Sequence, residues 1–358
     1  MVNYSEFKEE VEQVRLPEEG QELWLNDKEL SPTMSKIIEI SDDFFPLSGK
    51  ERESSSDQSG VGDWSQETRM LVQSLIEAAR AVGDQVRSDK MIDPSPVSKI
   101  IQHIVNHGLV EELYEYTMSD LQDKDAIPRH SVNITLISLM IGKGMDYDFK
   151  MQSVLGLSAF FSNVGMYKIS DEIVNHKGKP GKGEKKIIRA HPITGYEILK
   201  KVEKRYQWLS DIAVQVHERS DGSGYPKGLI GREINPLASI IGLVDLYVEL
   251  ISDRPYQDKL DQTEAIKYMV KETKDFFPQK VRKVFLDQVT LFPINSYVIL
   301  NNQSIGRVLR TNKKWTLRPT IELLFNSQGD KLVPPRVLKL MENPLLYIKG
   351  SVDPNVLP

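Results

Sequence analysis

His217-Glu218-Arg219-Ser220-Asp221-Gly222-Ser223-Gly224-Tyr225-Pro226-Lys227-Gly228-Leu229 is the stretch that decides how the rest of the chain is read. The histidine closes a helical pattern that begins at Trp208, and a turn follows. Gly222, Gly224 and Pro226 punctuate that turn, and these residue types fix sharp backbone reversals. Beyond it, an apolar run over 237–251 has helical spacing and is stopped by Pro255. Glu218 and Asp221 have the chemistry of a general acid or base. In a glycine-rich turn, however, an aspartate commonly accepts from nearby backbone N–H groups.

Working outward, helical periodicity starts near Ser65, with Met70, Leu71, Leu75, Ile76, Ala79 and Val82 on one face. It breaks at 93–96 and resumes over 97–107. After a further break at 125–128 come two strongly apolar stretches, 132–141 and 154–164. A Lys/Gly/Pro loop at 176–183 leads into an expected helix over 185–204 and another over 208–217. Past Pro293 the period shortens to β-type runs at 296–300, 305–309 and 320–324, divided by Asn301-Asn302 and followed by Ser327-Gln328-Gly329. Before residue 65 the pattern is ill defined. Short runs such as Lys36-Ile37-Ile38-Glu39-Ile40 read as strands, and the polar stretch 48–60 reads as a linker with too little apolar surface to pack. The expected division is an N-terminal region over 1–66, a helical domain over 67–288 and a small β module over 289–358.

Composition limits the function classes. A formal net charge of -5 argues against non-specific nucleic-acid binding, which needs clustered cations. The chain has no cysteine, which excludes thiolate metal sites, disulfides and cysteine nucleophiles. No apolar run is long enough to span a bilayer, and 1–15 lacks the apolar core of a secretory signal. A cytoplasmic protein is the expectation.

The quoted loop resembles the defining motif of the HD-GYP family, a bacterial branch of the HD phosphohydrolases that hydrolyses cyclic di-GMP. The resemblance continues, in order, through Arg129-His130-Ser131-Val132-Asn133, Lys179-Pro180-Gly181-Lys182, Ala190-His191-Pro192, Leu243-Val244-Asp245-Leu246-Tyr247 and Ser252-Asp253-Arg254-Pro255-Tyr256. It covers roughly 71–286. It implies a mainly α fold: an HD-GYP-type helical bundle, with the ill-defined N-terminal region before it and the small C-terminal β module after it. It also implies histidines and carboxylates that hold two or three divalent metals, which activate a bridging water against a phosphodiester.

This sequence departs from the family at the positions that matter most. Ser162 stands where the family has the histidine of its His-Asp pair, Asn163 at the bridging aspartate, Met166 at the phosphate-supporting lysine and Val216 at the first of a tandem His-His. His130, His191, His217 and Asp245 remain as ligand-type positions. By family role, one metal keeps His130 and Asp245, and the other keeps His191 and His217. Neither half has the three protein ligands usual in catalytic sites. The departure implies a degenerate site with no confident catalytic residue and no cofactor required, its polar remnants bonding one another. One relocated divalent metal, iron or manganese, held by three histidines and Asp245, is the option left open.

The ligand-binding candidates are Arg254 and the Gly224, Tyr225 and Pro226 loop. Arg254 aligns with a family phosphate-binding arginine, although Gln257 replaces the basic residue that the family places three positions later. In the family the loop shapes the nucleotide pocket and contacts diguanylate cyclase proteins. The leading expectation is therefore a pseudoenzyme of cyclic di-GMP signalling that binds proteins, and optionally the nucleotide, without hydrolysis. The alternatives are a mononuclear metal-dependent cyclic di-GMP phosphodiesterase and an interaction protein with an empty pocket.

Other features read more plainly. His103 and His107, four apart on one helix face, are expected to be a solvated or capping pair. The basic run 177–186 lacks the Ser/Thr of a P-loop. The β module lacks the paired arginines with which cyclic di-GMP-binding PilZ modules begin.

Overall fold

The computed structural model describes residues 64–119, 126–174, 176, 178, 180–252, 260–289, 291–312, 315, 317–352 and 357. The strands expected near 36–40, the linker at 48–60, and Arg254 and Gln257 lie outside the described residues. Among the described residues, no helix is long and apolar enough to cross a membrane.

The apolar periodicity after Ser65 becomes helix α1, Gln66–Arg87, capped by Ser65, whose hydroxyl accepts from the Thr68 N–H. Its inward face is Val72, Leu75, Ile76, Ala79, Val82 and Val86. Helices α2, Ser95–Asn106, and α3, Val110–Ser119, flank it. The two most apolar stretches form the centre of the bundle as α4, Ala126–Gly144, and α5, Phe149–Phe161. Both are apolar nearly all round, as befits helices surrounded by protein. Their few hydroxyls bond back to the preceding turn, as in Thr135 to the Ser131 carbonyl and Ser158 to that of Val154.

A 3₁₀ turn, Val164–Lys168, leaves α5 and leads to the short α6, Asp171–Val174. The single helix expected over 185–204 is in fact two, α7 at Lys182–Arg189 and α8 at His191–Leu199, divided at Ala190. Pro192 sits in the first turn of α8, where a missing N–H is tolerated, so it starts a new helix instead of continuing the old one. The break makes His191 a helix-start residue. The helix expected over 208–217 also ends early. It is α9, Trp208–Ala213, and the chain then turns so that the Val216 carbonyl lies against Gly242, where a Cβ would come within 2.2 Å of that oxygen. Gly242 belongs to α10, Pro236–Ile251, the third central helix, capped by Asn235. Helices α11, Gln262–Glu272, and α12, Gln279–Gln288, close the bundle.

The C-terminal module is a five-stranded antiparallel sheet in the order β4-β3-β2-β1-β5. β1 Tyr297–Leu300, β2 Ile305–Arg310 and β3 Thr320–Phe325 follow the expected runs. β4 Lys331–Lys339 and β5 Ile348–Val352 are additional edge strands. β4 contains Pro334 and Pro335, which a central strand would not tolerate but an edge strand does. The module buries its own small core of Phe292, Val298, Leu300, Val308, Ile321, Leu340 and Ile348. It touches the bundle through Leu291, which packs against both cores, and through the Thr311 hydroxyl, which donates to Glu115 at 2.8 Å.

Candidate functional site

Five elements bring their polar side chains to one buried point. α4 supplies His130 near its start, the turn after α5 supplies Asn163, and the start of α8 supplies His191. The turn after α9 supplies His217, and the middle of α10 supplies Asp245. Asn163, His191, His217 and Asp245 are all buried. The close approach that places Asn163 beside His191 depends on Gly165, where a Cβ would lie 2.0 Å from the His191 carbonyl oxygen.

The contacts form a chain. His130 Nε2 meets Asp245 Oδ1 at 2.9 Å, and the Asn163 Nδ2 amide donates to the same oxygen at 2.8 Å. Asn163 Oδ1 faces His191 Nε2 at 3.0 Å, and His191 Nε2 faces His217 Nε2 at 2.9 Å. His191 Nδ1 reaches the Ile188 carbonyl at 2.7 Å, while His217 Nδ1 is 3.7 Å from Asp245 Oδ2. The two half-sites read from the sequence are therefore spatial pairs, His130 with Asp245 and His191 with His217. The Asn163 amide bridges them.

Burial dominates the electrostatics. It lowers His191 below the ordinary histidine range and takes His217 down to about 3, so both rings are neutral near pH 7. Burial alone would raise Asp245, but the His130 hydrogen bond, the neighbouring imidazoles and the Asn163 amide outweigh it and hold the carboxyl below its usual range. Asp245 is an anion whose Oδ1 already accepts from two donors.

The substituted positions behave differently from one another. Ser162, expected to complete the polar network, does not join it: its hydroxyl donates to Ala159 of its own helix at 2.8 Å, which is where a helix-terminal serine finds a free carbonyl. Val216 is fully buried in the apolar core. Met166 is half-buried and brings no charge. Lys168, two residues on, pairs with Asp89 at 2.6 Å instead of serving the centre.

The glycine-rich loop is built on Glu218. This buried carboxylate accepts from the backbone N–H of Lys227 at 2.7 Å and of Leu229 at 2.9 Å, so Glu218 is a loop anchor. Gly224 is required because a Cβ there would lie 2.4 Å from the Glu218 Cα. Asp221 accepts from Ser223 N–H and hydroxyl, the turn role expected of it. The Tyr225–Pro226 bond is cis, and Tyr225 turns inward to stack on His217, with ring centroids 4.9 Å apart and planes 5° from parallel.

Two arginines at the site escaped sequence reasoning. Arg189 lies with its guanidinium 4.5 Å from the Tyr225 ring centroid, a cation–π contact at the exposed rim. Arg219 donates to the carbonyls of Val216 and Glu218 beneath the loop. The one sequence cue for Arg189 was its place in the last turn before His191. Of the expected site residues, His130, His191, His217, Asp245, Asn163 and Tyr225 converge, Gly224 and Pro226 shape the loop, and Ser162, Met166 and Val216 contribute no polar group.

The lone pairs of the donor set decide what it can hold. Two cations do not fit, because the Asn163 N–H points at Asp245 from the position where a bridging anion would be needed. Among the described residues, no group of three or more His, Cys, Asp or Glu side chains is arranged to hold an ion. His103 and His107 do not form such a group either: His107 Nδ1 bonds the His103 carbonyl as a helix cap, and His103 pairs with Glu67.

Comparison with known proteins agrees with this architecture. Residues 115–281 match the HD domain family, and residues 297–357 match a KOW domain associated with HD domains. The chain is 28% identical over 211 residues to the cyclic di-GMP phosphodiesterase PA4108 of Pseudomonas aeruginosa, covering 59% of this chain and 51% of that protein. It is 34% identical over 117 residues to the cyclic di-GMP phosphodiesterase response regulator RpfG of Xanthomonas campestris, covering 32% and 31%. It is 26% identical over 198 residues to the cyclic di-GMP phosphodiesterase PdeB of Borreliella burgdorferi, covering 55% and 52%. The chain thus spans about half the length, or less, of these curated relatives. Within that span, the chain is similar to an HD domain, followed by a stretch similar to a KOW domain associated with HD domains.

Proposed function

We propose that this protein acts in cyclic di-GMP signalling by binding, without the phosphodiesterase activity that its relatives' names describe. The observation that carries this reading is the Asn163 bridge: a neutral amide donates a hydrogen bond to Asp245 at 2.8 Å where two dications would need a shared anion. Neutral Ser162, Val216 and Met166 supply no replacement charge.

What remains suits an anionic ligand at the rim. Arg189 is an exposed residue whose guanidinium lies 4.5 Å from the Tyr225 ring centroid, a cation that can serve a phosphate without a metal. Arg254 is the second cation we assign to nucleotide recognition, on the family resemblance. A protein partner of the diguanylate cyclase kind would meet the outer rim of the loop, at Ser223, Lys227 and Ile230, because Tyr225 faces inward.

Calorimetric titration with cyclic di-GMP tests the reading. Binding should be seen with no linear dinucleotide product, and Arg189→Ala or Arg254→Ala should weaken it by about tenfold, in line with loss of a charged hydrogen bond. Absence of heat in the wild type would leave the empty-pocket interaction protein. Turnover would restore the phosphodiesterase.

A further inference from the structure

We infer that the segment 36–47 of this chain docks on an apolar surface of the C-terminal module formed by Trp315, Met341 and Leu345, with Phe44 and Phe45 as its anchors. The occupant is part of the same chain, and the polar centre plays no role in holding it.

Exposed apolar side chains are ordinary when scattered and informative when gathered on a rigid frame. Leu345 is 86% exposed, and Met341 and Trp315 are each 50% exposed. All three sit on loops clasped by one guanidinium. Arg318 Nη1 donates to the carbonyls of Leu340 at 3.0 Å, Leu346 at 3.4 Å and Asn343 at 3.5 Å, and Nη2 donates to that of Pro344 at 3.3 Å. The Arg318 backbone N–H donates to the Trp315 carbonyl at 2.7 Å. Asn301 holds the far side of the same loop, donating to the Leu345 carbonyl and accepting from the Tyr347 N–H. Asn312 joins the two loops: its Oδ1 accepts from the Trp315 N–H, and its Nδ2 donates to Met341 Sδ at 3.5 Å. Polar bonds thus fix the backbone while apolar side chains face water. A surface ordered in advance loses less freedom when it is covered. Pro334 and Pro335 remove backbone donors from the edge strand of this module, so side chains, not strand pairing, hold what docks here.

Position and charge name the occupant. The first described residue, Trp64, meets the Tyr116 ring of α3 edge-on, with centroids 5.8 Å apart. Glu115, next to Tyr116, accepts from Thr311, and Asn312, next to Thr311, holds Met341 and Trp315. The upstream sequence therefore joins the bundle at the junction that carries the apolar surface. Its chemistry matches. Residues 36–47 read Lys36-Ile37-Ile38-Glu39-Ile40-Ser41-Asp42-Asp43-Phe44-Phe45-Pro46-Leu47, an apolar stretch with three carboxylates. Residues 1–63 hold 16 acidic and 6 basic residues, whereas 289–358 hold 9 basic and 4 acidic, so the two regions carry opposite charge. Arg336 and Lys339 are exposed on the module, and Lys339 directly precedes the clasped loop. The polar stretch 48–60 supplies a tether. A flexible chain from Leu47 to Trp64 has a root-mean-square span of about 21–25 Å, which presents the segment at an effective concentration of about millimolar. A second copy of the chain is the rival occupant and must compete with that local concentration.

The full chain has no cysteine, so Ser48→Cys accepts a single nitroxide label beside the segment. The label should broaden the Leu345 and Met341 methyl resonances to the same degree in dilute and concentrated samples. Chymotryptic cleavage after Phe44 and Phe45, followed by mass spectrometry, reads how often the segment is released. Leu345→Glu should speed that cleavage about tenfold, and Met341→Glu repeats the test at a second exposed position. Asp42→Lys with Asp43→Lys should act in the same direction, as should added salt. Ile193→Glu, at an exposed apolar position of α8, should leave the rate unchanged. Equal cleavage rates in wild type and both module variants, or no broadening at Leu345 and Met341, would overturn the inference. So would broadening passed from a labelled chain to a separate isotope-enriched copy, which would give the surface to a second molecule.

Discussion

Asn163, in the turn after α5, and Asp245, in α10 and 82 positions on in sequence, are joined by an N–H···O bond of 2.8 Å that links the two halves of the polar centre. The bond fixes the amide, and through the amide it fixes which atom faces His191.

Replacing Asn163 by Asp should therefore place two buried carboxylates against each other. Without divalent metal, Asn163→Asp should lose about 3–5 kcal/mol of stability, the scale of an uncompensated buried charge. Urea unfolding of the variant beside the wild type checks this, and the deficit should shrink at acid pH, where one of the two carboxylates can protonate.

The centre also sets an acid limit. His217 falls from an ordinary 6.5 to about 3 in the folded chain, and His191 is lowered too, so the unfolded state binds more protons between those values. Stability should be fully present above pH 6.5 and fall as the pH drops toward 3, by up to about 1.4 kcal/mol per pH unit for each histidine. Asp245, also lowered, adds a loss of the same sign below its ordinary 3.8. The midpoint of urea unfolding measured across this window should slope less in His217→Gln.

Glu218 should prove to be a loop anchor. Glu218→Ala removes the acceptor for two backbone N–H groups, at a cost of about 2–4 kcal/mol. Hydrogen exchange at the Lys227 and Leu229 amides should accelerate in that variant, while amides in α5 stay protected.

The sequence was informative where chemistry lies in residue type and order. His130, His191, His217 and Asp245 could be named because the loop at 217–229 set the register for the motifs around it. Side-chain direction could not be read in the same way. Ser162 and Asn163 are neighbours with similar hydrogen-bonding capacity, yet Ser162 bonds its own helix and Asn163 crosses to Asp245, a choice made by how α5 meets α10. Arg189 gave little signal because its role comes from a ring brought from another loop, 36 positions later. Helix ends at Ala190 and Ala213 were missed where periodicity runs on through a break set by Pro192 and by the approach of Val216 to Gly242. Strand β4 was hidden by Pro334 and Pro335, which mark an edge.

Close backbone approach supplies a stability test. Gly165→Ala would force a Cβ to within 2.0 Å of the His191 carbonyl oxygen, so the turn after α5 must move away from α8. A loss of about 1–3 kcal/mol or more is expected from such overpacking.

On the proposed reading, the bridging charge lost at Asn163 and the imidazole donors lost at Ser162 and Val216 leave no binuclear centre and no hydrolysis. Metal content and cyclic di-GMP turnover, measured on one sample of wild type and of the Ser162→His, Asn163→Asp, Val216→His triple variant, test it most directly. The expected result is no more than one equivalent and no product for the wild type, with metal content rising in the triple variant. Two tightly held ions and a linear dinucleotide product from the unaltered chain would contradict it.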